Sequence, residues 1–259
     1  MTLIIGVRCT DGVVVGADGA ATLGAMGQRT IIQPISKLEI LENKIIFGSS
    51  GPIGLGQRFS GEIKNGWTKK EFSSKQPFQV MEIIGSKMWK HVEVEMKIAS
   101  TAKDTIGGAA IVDAICQSVV AMPVDHTHHL FQFDQNCSPE EATDKLPFVS
   151  VGSGQAIADP FLAFLKRIFW KDKKPSLVDG ILAVLWTLKH AIEINPGGVA
   201  DPKQIVVLEK KSGDWAAREL TQEELQEHYE FIDGAENALA NYVKESNTDT
   251  IEEIKIPEP

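Results

Sequence analysis

The first eighteen residues constrain the fold of this chain more than any other stretch. They form two short apolar runs joined by a polar turn, at residues 2–9, 13–17 and 10–12. Asp11-Gly12 between β-rich runs predicts a hairpin, because a tight primed turn favours positive φ at its centre. Such a hairpin returns Asp18 to the end of the sheet where Thr2 begins. Both runs are apolar at consecutive positions, so we expect this sheet to be covered on both faces.

Thr2 is a candidate nucleophile. A threonine hydroxyl needs an adjacent base, and the residue's own terminal amine can serve. Thr2 follows Met1, and methionine before a small residue is usually trimmed, so we expect a free α-amine on Thr2. Such an amine has an ordinary pKa of about 8, which leaves a usable neutral fraction at physiological pH. A nearby lysine would lower this pKa, and a carboxylate would hold the lysine in place.

The sequence offers residues for these supporting roles. Lys37, in ISKLEIL, is the candidate lysine, and Asp18 is the candidate carboxylate. Acyl transfer also needs an oxyanion donor, ideally a backbone N–H at a tight turn. Gly51, in FGSSGPIG, follows the apolar run 44–47 and suits that role. The pattern therefore predicts nucleophilic catalysis at Thr2.

These residues carry a resemblance to a known family. The matching positions are Thr2, GVVVGADG ending at Gly19, ATLG at 21–24, Lys37 and SSG at 49–51. Together they resemble a proteasome β-type subunit, most closely the HslV-like bacterial branch and the group called bacterial proteasome homologues. The resemblance covers roughly residues 2–210 and places the chain among the N-terminal-nucleophile hydrolases. It implies an α+β fold, a four-layer αββα sandwich, with a threonine protease housed inside a ring.

The resemblance also assigns roles to two later residues. In the family, the segment Val-Gly-Ser-Gly at 151–154 places a serine beside the threonine amine, so Ser153 becomes an orienting residue and proton relay. The less favoured alternative, based on capping preference alone, is that Ser153 only caps the following helix. Family members usually have an aspartate where this chain has Glu193, and a serine or threonine three positions later, where this chain has Pro196. Glu193 then orients the amine through a longer side chain, whereas proline offers neither a hydroxyl nor an N–H.

The resemblance implies hydrolysis of peptide bonds in peptides or unfolded proteins, through an acyl-enzyme on Thr2. A catalytically weak or inactive structural ring is the alternative, because Glu193 and Pro196 depart from the family pattern. A third interpretation is an amidohydrolase of small amides, which ranks lower because the motif match is to the proteasome branch. The family also implies two stacked rings of identical subunits. The chain lacks a Walker A motif, so any ATP-driven unfoldase would be a separate protein.

Composition excludes several other classes. A net charge of −9 makes nucleic acids and anionic membranes poor partners. Three scattered cysteines without a CxxC motif fit a reducing cytoplasm. No stretch of the sequence is an 18-residue apolar span, and no basic region precedes the apolar run 3–7, so we expect no signal peptide and a cytoplasmic protein. We expect no cofactor, since GxGxxG and the P-loop lysine are both missing at 152–157.

The segment DHTHH at 125–129 permits two interpretations, a metal site or a polar turn between strands. No second ligand cluster appears at zinc-site spacing, which favours the turn. We therefore expect no metal.

Periodicity predicts the remaining elements. Strands are expected at 31–32, 38–41, 44–47, 105–116, 118–124, 130–133, 148–151 and 203–208, and helices at 53–66, 78–98, from 157, 177–193 and 221–243. We expect one domain over 2–219 and a C-terminal helical extension with a polar tail over 220–259. That helix is predicted either to cover an edge of its own domain or to reach a neighbouring subunit as well.

Overall fold

The computed structural model describes residues 2–23, 31–106, 115–171, 173–194 and 198–251. The chain forms two compact units, Met1–Leu220 and Thr221–Pro259. No helix in the described ranges is long and apolar enough to cross a bilayer.

In the described part of the first unit, runs of strands alternate with two pairs of helices. In order they are β1 (Ile4–Arg8), β2 (Gly12–Ala17), β3 (Ala20–Leu23), β4 (Ile31–Pro34), β5 (Leu38–Leu41), β6 (Ile45–Ser50), α1 (Ile53–Thr68), α2 (Pro77–Ile106), β7 (Gln117–Val124), β8 (Thr127–Phe133), β9 (Pro139–Glu141), β10 (Phe148–Val151), α3 (Gln155–Leu165) with a π-helical turn at Lys166–Trp170, α4 (Leu177–Ile194), β11 (Gln204–Lys211) and β12 (Asp214–Glu219). The second unit contains α5 (Gln222–Ile251).

Two five-stranded antiparallel sheets form the centre of the first unit. Their strand orders are β10-β1-β2-β11-β12 and β5-β6-β7-β8-β9, and β3 pairs with β4 separately. A core of apolar side chains from both sheets includes Ile4, Val15 and Val206 with Val119 and Leu130. Helices α1 and α2 pack on the second sheet, and α4 packs on the first with α3 beside it. The expected α+β fold, a four-layer αββα sandwich, is confirmed.

The apolar stripe on α2 explains how the outer layer is attached. Val80, Ile84, Met88 and Val92 recur at four-residue spacing and are fully buried against the second sheet. Burying a side chain of this size contributes about 1.5–3 kcal/mol. The predicted helix is therefore confirmed over 78–98, but it continues to Ile106.

The hairpin of β1 and β2 is confirmed, and Ile4 pairs with Ala17. Its predicted turn geometry is wrong, because neither Asp11 nor Gly12 has a positive φ. Gly12 is the first residue of β2 and pairs with Glu209 of β11, so it belongs to the ladder. Positive φ occurs instead at the turn of Glu42 and Asn43, and in the turn between β7 and β8.

Two other element predictions need correction. The strand expected at 105–116 is wrong at its start, where Thr105 and Ile106 continue the hydrogen-bonded ladder of α2. Residues 107–114 lie outside the described ranges. Helix α5 runs beyond the predicted end at Val243 to Ile251. Its start is as expected: Thr221 N–H donates to Glu224 Oε2 at 2.9 Å, and Glu224 N–H donates to Thr221 Oγ1 at 3.3 Å.

The histidine segment forms the turn between β7 and β8, with Asp125 and His126 at its centre. His129 lies on β8 between Glu141 Oε1 and Thr127 Oγ1, each 2.7 Å from a ring nitrogen. Across the described ranges, no group of three or more potential metal ligands is assembled.

Candidate active site

The hairpin places Thr2 at the end of the first sheet, where hydrogen bonds hold the main chain of Thr2 and Leu3. Leu3 N–H donates to Asp18 Oδ1 at 2.8 Å, and Asp18 N–H donates back to the Leu3 carbonyl at 3.2 Å. Gly154 N–H donates to the Thr2 carbonyl at 3.2 Å. Thr2 is therefore held by β2 on one side and by the turn after β10 on the other.

Asp18 is a buried carboxylate whose two oxygens accept four hydrogen bonds from described residues. Oδ1 accepts from Leu3 N–H at 2.8 Å and from Lys37 Nζ at 2.6 Å. Oδ2 accepts from Ala20 N–H at 3.2 Å and Ala200 N–H at 3.4 Å. The residue is 0% exposed, and a buried charge is tolerated only with such complete pairing.

Lys37 precedes β5 and brings a cation to this site. Its side chain is 4% exposed and forms an ion pair with Asp18. Burial lowers the pKa of the Lys37 ammonium, while the Asp18 charge acts in the opposite direction. Leu3 N–H and Lys37 Nζ bind the same carboxylate oxygen, so the ammonium lies beside the peptide bond that joins Thr2 to Leu3.

Ser153 contacts the Thr2 main chain directly. The Thr2 nitrogen donates to Ser153 Oγ at 3.2 Å, and Ser153 Oγ donates to the Thr2 carbonyl at 3.5 Å. In the full sequence this nitrogen belongs to the peptide bond with Met1; on a trimmed chain it is the α-amine. The N-cap of α3 is Gly154, and no side chain caps the helix, so Ser153 does not serve as the cap.

The turn that carries Ser153 requires a glycine at position 152. Gly152 has φ of +98°, and a Cβ there would lie 2.2 Å from the Thr2 carbonyl oxygen. The same Cβ would lie 3.0 Å from Ser50 Oγ. This close approach brings the end of β6, the turn and Thr2 together.

If the site hydrolyses peptides, as the family resemblance implies, Gly152→Ala should lower the rate by about 100-fold or more, because displacing a reacting group by about 1 Å has an effect of that size. The strained φ and the clash with Thr2 would also lower the unfolding temperature. Steady-state kinetics and thermal unfolding measure both effects. Gly54→Ala on α1 is the matched control, since a Cβ at Gly54 meets nothing within 4 Å. Equal activity of the two variants would contradict the prediction.

Gly51 lies at the same end of the molecule, directly after β6, with φ of +142°. Its neighbour Ser50 pairs with Gln117 of β7. The Gln117 side chain accepts the Gly152 N–H on Oε1 at 3.1 Å, which links the end of the second sheet to the turn beside Thr2. Ser50, the residue before Gly51, therefore lies beside the turn that carries Gly152.

Glu193 is placed differently. It lies exposed in the last turn of α4, and within the described ranges no hydrogen bond joins it to Thr2 or Ser153. Pro196, the other departure from the family pattern, lies outside the described residues. Hydrogen bonds thus join Thr2 to Ser153, Lys37 to Asp18, and Asp18 to the Leu3 N–H that follows Thr2. Within the described residues they do not join Glu193 to this set.

Sequence reasoning missed two side chains that support this set, Gln117 and Gln204. Both are single glutamines in strands without a recognisable motif. Gln204 contacts residues on either side of Lys37, at a separation of 166 positions from Leu38. No local signal in the sequence could have identified either contact.

A cavity of about 720 Å³ lies where β6 begins and β7 ends, which is the end of these strands away from Gly51 and Gln117. It is lined by the β5–β6 and β7–β8 turns and by Trp67, Phe72 and Trp215. None of the residues joined at Thr2 lines it, so its shape says nothing about the substrate of the candidate site.

The sandwich, with Thr2 at the start of its first strand and a buried Lys37–Asp18 pair beside it, has the architecture of the N-terminal-nucleophile hydrolases. The model of the proteasome subunit family matches residues 2–199, and the chain belongs to that family. No curated protein sequence matches it.

Solved structures with a similar fold carry the name Anbu. The chain matches an Anbu (Gly-1) mutant from Hyphomicrobium sp. strain MC1 at 15% identity and a TM-score of 0.66, with 100% of both chains covered. It matches Anbu (ancestral beta-subunit) from Yersinia bercovieri at 14% identity and 0.66, covering 93% of this chain and 96% of that one. It matches the helical assembly of the Anbu complex from Pseudomonas aeruginosa at 12% identity and 0.67, covering 99% and 98%. At these identities the likeness establishes the fold.

Proposed function

We propose that this chain is a threonine peptidase subunit that hydrolyses peptide bonds through an acyl-enzyme on Thr2. One observation carries the proposal: the Thr2 nitrogen contacts Ser153 Oγ, while the Lys37–Asp18 pair lies beside the Thr2–Leu3 peptide. Family membership supports it. The finer assignment to the HslV-like branch and the bacterial proteasome homologues, and a cytoplasmic location, belong to the same proposal.

In the proposed acyl transfer each of these groups has a role. The neutral α-amine takes the proton of the Thr2 hydroxyl, directly or through a water, and the oxygen attacks the scissile carbonyl. The Lys37 ammonium disfavours a second positive charge on the amine, which keeps the base neutral. Ser153 orients the amine and relays its proton to the leaving nitrogen. The Gly51 N–H stabilises the oxyanion, and water then hydrolyses the ester. Glu193 is left out of the proposed mechanism, because it is exposed and, within the described ranges, no hydrogen bond joins it to Thr2 or Ser153.

The proposal requires a free amine on Thr2. We expect mass spectrometry of the purified protein to show Thr2 at the N-terminus, and fluorogenic peptides to be cleaved. A retained residue before Thr2 would leave an amide nitrogen in place of the base and refute the mechanism. Casein digestion, compared with turnover of small amides, separates a peptidase from an amidohydrolase.

The placement of Glu193 favours one rival, a proteasome-like ring with weak or lost chemistry. The amine would then lack the second orienting carboxylate that the family pattern supplies. The two functions differ in one measurement: a trimmed, correctly folded protein that cleaves no peptide is the structural ring, whereas peptide turnover that depends on Thr2 excludes it.

We infer that the chain assembles with copies of itself, because an exposed nucleophile that attacks peptide bonds needs enclosure. Two stacked rings are the arrangement proposed from the family, whereas the Anbu complex from Pseudomonas aeruginosa is described as a helical assembly. A separate ATP-dependent unfoldase would unfold folded substrates so that they can enter the enclosure. Native mass spectrometry distinguishes a closed ring from an open series of sizes, and a monomer would refute self-assembly.

The C-terminal helix provides a further test of assembly. Helix α5 carries an apolar stripe that includes Leu239 and Val243, which are 61% and 56% exposed. We expect truncation after Glu219 to convert the assembly into smaller folded species, because the helix is proposed to contact a neighbouring subunit. Light scattering and thermal unfolding measure this. Intact assemblies of unchanged stability would contradict it, and insolubility would favour a role in covering the helix's own domain.

A further inference from the structure

The side chain of Gln204 contacts the main chain on one side of Lys37 and the side chain on the other. Gln204 is the first residue of β11 and pairs with Ala17, next to Asp18. Its Oε1 accepts the Leu38 N–H at 3.0 Å and lies 3.0 Å from Ser36 Oγ, whose hydroxyl also lies within 2.9 Å of the Leu38 carbonyl oxygen. Its Nε2 donates to the Leu38 carbonyl at 3.3 Å. One amide group thus satisfies both the donor and the acceptor of Leu38, as a neighbouring strand would.

This contact matters because Lys37 and Asp18 adjoin strands of different sheets. Asp18 follows β2 in the first sheet, whereas Lys37 immediately precedes β5 of the second. The ladder of β5 with β6 begins only at Leu38, so Lys37 lies just outside it. A lysine side chain has many rotamers, and fixing its ammonium requires a fixed backbone. Gln204 provides that restraint from the strand that also flanks Asp18.

We propose that Gln204 is a positioning residue, whose side-chain amide fixes the Ser36–Leu38 backbone and thereby holds the Lys37 ammonium on Asp18 beside Thr2. The geometric part of this inference stands on the hydrogen bonds alone. Its kinetic part rests on the proposed peptidase function. Gln204 touches neither Thr2 nor Ser153 by a hydrogen bond in the described ranges, so it acts through Lys37.

If Gln204 had only a structural role, its loss would disturb the packing of the sandwich, whereas a positioning role predicts a change only around Lys37. Gln204 is partly exposed, and the core beneath it is formed by neighbours such as Val206 and Leu208. Loss of its hydrogen bonds therefore leaves the packed centre of the sandwich unchanged. The expected change is local: the Lys37 ammonium gains mobility and solvent access.

The first measurement does not depend on activity. Acetic anhydride is applied to the intact assembly, and acetylation of Lys37 is quantified by peptide mass spectrometry. We expect Gln204→Leu to raise Lys37 acetylation by at least about 3-fold, because local opening exposes a buried group. Gln204→Glu keeps an acceptor for Leu38 N–H and loses the donor, so an intermediate value is expected. Unchanged acetylation in both variants would overturn the proposal.

The second measurement uses the pH profile of peptide cleavage. With the ammonium displaced, the Thr2 amine keeps its proton to higher pH. The acid limb of the pH–rate profile therefore shifts to higher pH, and the rate at neutral pH falls by about 10-fold. Glu209→Gln is the matched control: it lies on the same strand, breaks a 2.7 Å pair with Arg218, and should change neither readout. If the wild type cleaves no peptide, the proposed function fails while acetylation still decides the role of Gln204. If Gln204→Leu is insoluble, Gln204→Glu decides it.

Discussion

Thr2→Ala will abolish covalent labelling by an epoxyketone or boronate inhibitor and reduce peptide hydrolysis by at least about 10⁴-fold. The hydroxyl of Thr2 is the only side-chain nucleophile in the proposed reaction, so nothing replaces it. The fold should be unaffected, because Thr2 is held through its main-chain atoms and alanine keeps those hydrogen bonds. Intact-mass spectrometry after inhibitor treatment measures the adduct directly.

Two control variants test whether the loss of labelling is specific to the Thr2 hydroxyl. Thr2→Ser keeps a hydroxyl and an amine in the same place, so it should still form the adduct. Thr10→Ala removes a threonine hydroxyl from the exposed turn at the other end of β1 and should leave labelling complete. Labelling that persists in Thr2→Ala would show that another residue is the nucleophile.

The elements that sequence patterns predict well are those whose signals are local. The strand at Phe148–Val151 has the predicted bounds because four residues of strand-like pattern are followed by a turn-forming Gly-Ser-Gly. The hairpin of β1 and β2 follows from two apolar runs with a short polar connection. It also makes the link between Asp18 and Thr2 foreseeable, since antiparallel pairing fixes which ends meet.

Helix α3 shows where a local signal fails. The periodicity predicts a stripe on one face, formed by Ile157, Phe161, Phe164, Leu165 and Ile168. The structure buries Leu165 but leaves Phe164 and Ile168 42% and 47% exposed. The buried face of α3 is instead formed by Ala158, Leu162 and Leu165, one position away from the predicted Ile157 and Phe161. Both sets have helical spacing, so the periodicity alone does not decide which of them faces inward. Beyond Leu165 the helix continues into a π-helical turn over Lys166–Trp170, in which Trp170 is buried.

Contacts between the two sheets cannot be predicted from local sequence patterns. The Gln204 amide and Leu38 come together only after both sheets have formed and packed face to face. The same holds for Gln117 and Gly152, which join β7 to the turn after β10. Sequence patterns identify the chemical groups of the candidate site, whereas the side chains that hold them in place depend on tertiary packing.

The pKa of Lys37 has a consequence for stability at alkaline pH. Burial lowers this pKa below its ordinary value of 10.5, so the folded protein releases the proton at a pH where the unfolded chain still holds it. Because the unfolded state then binds more protons, the free energy of unfolding gains a contribution from Lys37 that rises with pH across that window. Variants without Lys37 lack this contribution, which urea unfolding at a series of alkaline pH values would measure.

Lys37→Met is expected to impair both activity and stability. Removing the cation leaves the Asp18 carboxylate buried without its charged partner, and breaking a buried pair in this way typically lowers the free energy of unfolding by about 3–5 kcal/mol. The Thr2 amine then faces a negative rather than a positive neighbour and stays protonated at neutral pH. We expect the hydrolysis rate to fall by about 10²–10⁴-fold, in the range of lost acid–base catalysis.

The double variant Asp18→Asn/Lys37→Met separates the two effects. It removes the uncompensated charge, so it should regain part of the stability, with a coupling of about 0.5–3 kcal/mol between the two sites. Recovery stays partial, because the amide nitrogen at position 18 then faces the N–H groups of Ala20 and Ala200. Activity should not return, since the base still lacks its neighbouring cation. A double variant that regains both would show that Lys37 serves only to neutralise Asp18, and would remove it from the proposed mechanism.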